Sequence, residues 1–71
     1  METLIQVGQL IRTLREANGL SQRQLAKMVA CSPETVNRWE HGKGGWPKLD
    51  AMQKLARALN VSLALFEEHR K

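Results

Sequence analysis

A chain of 71 residues has room for one small domain, which on folding hides only about 60% of the surface its unfolded form exposes. A second domain, and with it a separate ligand-sensing domain, is not expected. Eleven Lys and Arg against seven Asp and Glu give a net charge of +4, and the excess has a place. Between Arg12 and Lys48 stand seven basic residues (Arg12, Arg15, Arg23, Lys27, Arg38, Lys43, Lys48) and three acidic ones (Glu16, Glu34, Glu40), whereas the remainder holds four of each. Such a patch favours an anionic partner, although a basic face can also serve solubility alone.

Cys31 is the lone cysteine and has no internal disulfide partner, which suits a reducing compartment. No run approaches the roughly 20 apolar residues needed to span a bilayer. The opening METLIQVGQL lacks the charged-then-apolar layout of a secretory leader. The expectation is a soluble cytoplasmic domain that makes no use of a membrane.

Apolar residues at Leu4, Val7, Leu10, Ile11 and Leu14 recur at helical spacing, and Ala17-Asn18-Gly19 stops the first helix. Ser21 with Gln24 three positions on forms a capping box for a second helix, whose Leu25, Ala26 and Val29 share one face. Ser32 caps a third helix, Pro33 occupies its first position, where no N–H is needed, and Gly42 ends it. After the loop Lys43 to Pro47, residues Leu49, Met52, Leu55, Ala56 and Leu59 mark a fourth helix that stops at Asn60. Ser62 caps a short fifth helix through Leu63, Leu65 and Phe66, and the end from 68 to 71 is expected to fray. The prediction is an all-α, compact five-helix bundle of short helices and short connections, one domain over 1–71.

Only Ala30 and Cys31 separate the second helix from the third, so the two must meet at a steep angle. This is the layout of a helix-turn-helix over about 21–42, followed by helices 4 and 5 over about 48–67. Residues 8–66 resemble the Cro and repressor-type helix-turn-helix family of lambdoid phages and its bacterial relatives. The matching residues are Ile11-x-x-Leu14-Arg15, Gly19-Leu20-Ser21-Gln22-x-x-Leu25-Ala26, Ser32-x-x-Thr35-Val36-x-x-Trp39-Glu40-x-Gly42 and Leu55-Ala56-x-x-Leu59-x-Val61-Ser62. The resemblance implies a lambda-repressor-like fold and double-stranded DNA as partner.

At about 100° per residue, a third helix that buries Val36 and Trp39 turns Pro33, Glu34, Asn37, Arg38 and His41 outward or to its flanks. Arg38 suits guanine O6 and N7, Asn37 adenine, Glu34 a cytosine amino group, and Pro33 and the Thr35 methyl a thymine methyl. A plain surface ion pair between Glu34 and Arg38 competes with that reading; base contact is preferred, because a paired Glu34 still orients Arg38. Gln22, whose family position commonly meets a phosphate, is assigned to the DNA backbone with Arg23, His41, Lys43 and Lys48. Lys43 is the strongest of these because it follows helix 3 directly.

The resemblance further implies that Arg15 and Glu40 form a partly buried structural ion pair. Three departures from the family pattern stand out. Ala30 fills a turn position usually held by glycine, so a positive φ there stores about 1 kcal/mol. Cys31 replaces a residue that is often a buried valine, and it reads as a small core residue rather than a redox switch. Ala64 and Leu65 replace commonly polar residues in the last helix. With Leu63 they form either an exposed two-fold dimer contact or an inner packing surface under helix 1. Trp46 leaves three roles open: cover for helix 3, a stack beside DNA, or a partner contact.

No cofactor, metal or small-molecule ligand is expected: His41 and His69 have no Cys/His ligand spacing around them, and no paired-carboxylate or Ser/His/Asp arrangement suggests an enzyme. The leading expectation is a dimeric transcriptional regulator, most often a repressor in this family, whose third helix reads a palindromic operator. The alternative is a helix-turn-helix module that works through a protein partner, such as a toxin or an RNA polymerase subunit, held by Leu63, Leu65 and Trp46.

Overall fold

The computed structural model describes residues 4–45 and 47–68, with side chains from Gln6 to Phe66 apart from Trp46. The expectations for Trp46, His69 and the end 69–71 therefore lie outside the described residues. Five helices follow in order: α1 (Leu4–Ala17), α2 (Gln22–Met28), α3 (Pro33–Glu40), α4 (Leu49–Ala58) and α5 (Leu63–Glu68). Among the described residues there is no strand, and no helix is long and apolar enough to cross a membrane.

The helix starts form as local chemistry dictates. Ser21 Oγ accepts from Gln24 N at 3.0 Å while Gln24 Oε1 accepts from Ser21 N at 2.8 Å, which closes the capping box of α2. Ser32 Oγ accepts from Thr35 N at 3.2 Å and Pro33 opens α3. Each such cap contributes about 1 kcal/mol.

The helix ends share one device. After α1, α2, α3 and α4 the chain takes a left-handed residue (Gly19, Ala30, Gly42, Asn60), and the next N–H reaches back five residues to close the turn. Those donors are Leu20 to Arg15 O, Cys31 to Ala26 O, Lys43 to Arg38 O and Val61 to Ala56 O. At Ala30 the φ of +58° is the strained conformation that the missing glycine foretold. The residue after the left-handed turn usually packs back on its helix, and Leu20, Cys31 and Val61 do so against the core. Lys43, the equivalent residue after α3, is a cation left exposed.

The core gathers Val7, Ile11, Leu25, Ala26, Val29, Val36, Met52, Leu55, Ala56, Leu59 and Phe66, with Leu10, Leu14, Trp39 and Leu63 packed on it. Helix α3 lies against both α1 and α2, α2 against α4, and α4 against α5. One expectation is corrected. Leu49, read as part of the apolar face of the fourth helix, is 53% exposed, because the first turn of α4 runs out past the core. In the last helix Leu63 and Leu65 are both half-buried, with Leu63 packed on the core, and Ala64 is exposed, so the face considered for a dimer contact is partly covered.

Gly8 marks a close contact between α1 and α3. A methyl placed there would stand 2.4 Å from the Trp39 carbonyl oxygen and 2.6 Å from that of Glu40. Only a residue with no side chain lets α1 sit this close to the last turn of α3.

Candidate nucleic-acid interface

With Val36 and Glu40 buried and Trp39 half-buried, α3 shows solvent an arc containing Pro33, Glu34, Asn37, Arg38 and His41. At 3.6 residues per turn these five span about 140° of the helix surface. The first four, joined by Gln22 from the start of α2, line a shallow groove of about 420 Å3. Glu34 and Arg38 are not within ion-pair distance of each other, and among the described residues neither has an ion-pair partner there. Thr35, expected among the base contacts, is not on this edge: it is half-buried, lines a different cleft with Cys31 and Trp39, and its hydroxyl meets Ser32 Oγ at 3.0 Å.

Behind the groove lies the ion pair. Arg15 Nε donates to Glu40 Oε2 at 2.6 Å and Nη2 to Oε1 at 3.2 Å, with the two side chains 12% and 2% exposed. Arg15 Nη1 donates to Leu20 O at 2.7 Å, which ties the turn after α1 into the same cluster. The hydrogen bond to Glu40, the largest effect, holds the guanidinium pKa above its ordinary value, and partial burial opposes it. These charges are spent on one another, as expected, and neither side chain faces the groove.

Gln22 links this pair to the surface, a connection that sequence reasoning did not find. Its Nε2 donates to Glu40 Oε1 at 3.1 Å, and its Oε1 accepts from Asn37 Nδ2 at 3.4 Å. The half-buried amide therefore spans from the buried carboxylate to the outer edge of α3. Part of the hydrogen-bonding capacity assigned to a DNA phosphate is already used within the fold.

His41 Nδ1 lies 2.8 Å from Asn37 O, which keeps the imidazole on the flank of its own helix. Arg23 is exposed in the first turn of α2. Lys43 and Lys48 are exposed on the far side of α3, where with Arg38 they border a cleft of about 390 Å3 floored by Cys31, Trp39, Ala51 and Pro47. Burial pushes the Cys31 thiol pKa up, so it sits there as a neutral group. Among the described residues no three His, Cys, Asp or Glu side chains come together as metal ligands.

The family model described as Helix-turn-helix matches residues 11–66, a span that holds α2, the turn, α3 and every residue of the groove. The chain belongs to the helix-turn-helix family. This is the repressor-like branch of DNA-binding transcriptional regulators that the sequence motifs resembled.

Two regulators from Bacillus subtilis are similar: the HTH-type regulator RghRB, 43% identical over 54 residues, and the HTH-type transcriptional repressor RghR, 41% identical over 54. Each alignment covers 76% of this chain, which spans only about two-fifths of either relative's length. Among solved structures, the restriction-modification controller protein C.AhdI from Aeromonas hydrophila is 35% identical, with a TM-score of 0.82 over 89% of this chain and 94% of its own. The helix-turn-helix unit also matches part of an epoxidase from Streptomyces wedmorensis, at 32% identity over 28% of that enzyme. The five-helix architecture is thus the family's fold, and α2 and α3 are its helix-turn-helix.

Proposed function

We propose that this helix-turn-helix protein is a cytoplasmic transcriptional regulator that binds double-stranded DNA in a sequence-specific way, with α3 in the major groove. The observation that carries the reading is the outer edge of α3: Pro33, Glu34, Asn37 and Arg38 stand together, exposed, with Glu34 and Arg38 unpaired. Unpaired donors and acceptors on a helix that fits a groove about 12 Å wide are what base reading requires. Arg38 is assigned to guanine, Asn37 to adenine, Glu34 to a cytosine amino group and Pro33 to a thymine methyl. Thr35, on the flank, is at most a peripheral contact.

Lys43, Lys48, Arg23, His41 and the remaining N–H of Gln22 are assigned to phosphates on either side of the groove. Each phosphate neutralised steepens the fall of log affinity with log salt by about 0.9. One recognition helix reads only a few base pairs, so the working form is proposed to be a homodimer on a two-fold operator. Its half-sites would lie about 34 Å apart, with Leu63, Ala64 and Leu65 of α5 at the contact. The repressor among its relatives supports repression as the outcome.

The test is selection of bound sequences from random duplex DNA at about 150 mM salt, near physiological ionic strength, with the wild type and Arg38→Ala. The expected result is a two-fold-symmetric site that Arg38→Ala fails to enrich. Alongside it, Glu34→Ala should relax base preference, and Lys43→Ala should weaken all sequences alike and lower the salt slope. Failure of the wild type to enrich any site would overturn the proposal and leave a protein partner as the better reading.

A further inference from the structure

A second surface lies off the reading arc, where the end of α2 meets the outer side of α4. Met28, Ala30, Ala58, Lys54 and Arg57 enclose a cleft of about 410 Å3 there. Met28 is 53% exposed, and the left-handed turn at Ala30 pushes that methyl out beside it. Lys54 and Arg57, three residues apart on α4 and both exposed, form the rim. Neither makes an ion pair among the described residues. Asp50, four residues before Lys54 and well placed to neutralise it, instead accepts from Ala51 N at 2.9 Å in the first turn of α4. Among the described residues its lining is therefore apolar at Met28, Ala30 and Ala58, cationic at Lys54 and Arg57, and holds no carboxylate.

We propose that this cleft docks an acidic amphipathic helix of a partner protein. Side chains three apart on a helix stand about 5–6 Å from each other, so two carboxylates at i and i+3 or i+4 of the incoming segment match Lys54 and Arg57. An apolar side chain between them covers Met28. DNA phosphates would satisfy the cations but bring nothing to cover the thioether, which is why charge and floor together select a peptide. The neighbouring cleft, which shares Ala30 and Lys54 with this one, adds Arg38, Lys43 and Lys48 against the one carboxylate of Asp50, so a longer acidic segment still meets a net positive lining.

The experiment is selection from a phage-displayed library of randomised 16-residue helices on the full chain, counter-selected against Arg57→Glu. Chosen peptides are then titrated into protein labelled at its methionine methyl groups. Enriched sequences should carry paired Glu or Asp around Leu or Phe, and should shift the Met28 methyl while leaving that of buried Met52. They should lose at least about tenfold in affinity for Arg57→Glu, because a like charge replaces a partner. Met28→Gln, a milder change, should weaken them as well, and an unchanged Met52 signal will show that both variants are folded. Enrichment of neutral or basic peptides, no enrichment, or binding indifferent to both variants would overturn the proposal. So would a random duplex that moves the Met28 methyl as far as the peptides do, since the surface would then belong to nucleic acid.

Discussion

Replacing Gly8 by alanine tests whether α3 is held by the close seating of α1 on its last turn. The added methyl falls 2.4 Å from the Trp39 carbonyl oxygen, 2.6 Å from that of Glu40 and 2.8 Å from the Glu40 carbonyl carbon. Ordinary contact begins near 3.4 Å, so the helices must part by about 1 Å. The obstacles are backbone atoms, and no rotamer change removes them. Nor is α1 free to slide, because Val7 and Ile11 are 2% and 0% exposed in the core and Arg15 is tied to Glu40. Helix preference acts in the opposite direction, favouring Ala over Gly by about 1 kcal/mol. Overpacking costs about 1–3 kcal/mol, and immovable backbone places this site at or above the upper end. The expected net loss is about 2 kcal/mol, or a fall in Tm of roughly 10 °C for a domain of this size. Urea and thermal unfolding followed by circular dichroism will measure it. A variant as stable as the wild type, or more so, would show that helix preference governs the site and refute the reasoning.

Three further outcomes are expected. Glu40→Gln leaves Arg15 half-enclosed without its carboxylate and should cost about 3 kcal/mol, whereas Arg15→Met/Glu40→Met should lose less than the single change; urea midpoints will compare them. Ala30→Gly removes a left-handed strain of about 1–2 kcal/mol and adds backbone entropy of about 0.5–1 kcal/mol to the unfolded chain, so Tm should rise by a few degrees. The Cys31 thiol, with a folded pKa above the unfolded one, should add a contribution to stability that is complete below about pH 8.5. That contribution falls as pH rises through the higher folded value; unfolding free energy measured from pH 7 to 10 should show a slope that Cys31→Ala lacks.

What was legible in the sequence was local. Ser21 with Gln24, Ser32 with Pro33, and the stops at Gly19, Gly42 and Asn60 each act within a turn or two, and the helices begin and end at them. Periodicity also sorted the two sides of α3, because about 100° per residue separates Val36 from Asn37 whatever lies nearby. It could not say where a neighbouring element stops. Leu49 carries the right spacing yet lies beyond the core's edge, and Thr35 turns to a flank that α4 and its preceding loop enclose. The Arg15–Glu40 pair joins residues 25 apart and was visible only through family resemblance. Gly8 left a single faint signal, a glycine inside a helical pattern where alanine would be intrinsically better by about 1 kcal/mol. The reason for it sits on another helix.

The link through Gln22 shows how a buried charge reaches the outer edge of α3 without touching it. A carboxylate only accepts hydrogen bonds, so Glu40 fixes which end of the Gln22 amide faces inward: Nε2 must turn to it. The carbonyl oxygen is then left facing Asn37, and it can only accept, which draws Asn37 Nδ2 toward α2. Asn37 Oδ1 and its second N–H remain to meet solvent or a partner. The polarity of that edge is thus set three steps inside the protein, by the Arg15 guanidinium that holds the Glu40 carboxylate in place through two hydrogen bonds. Because the same carboxylate anchors α3 to α1, the packing that stabilises the fold and the hydrogen bonds that orient Asn37 cannot be altered independently.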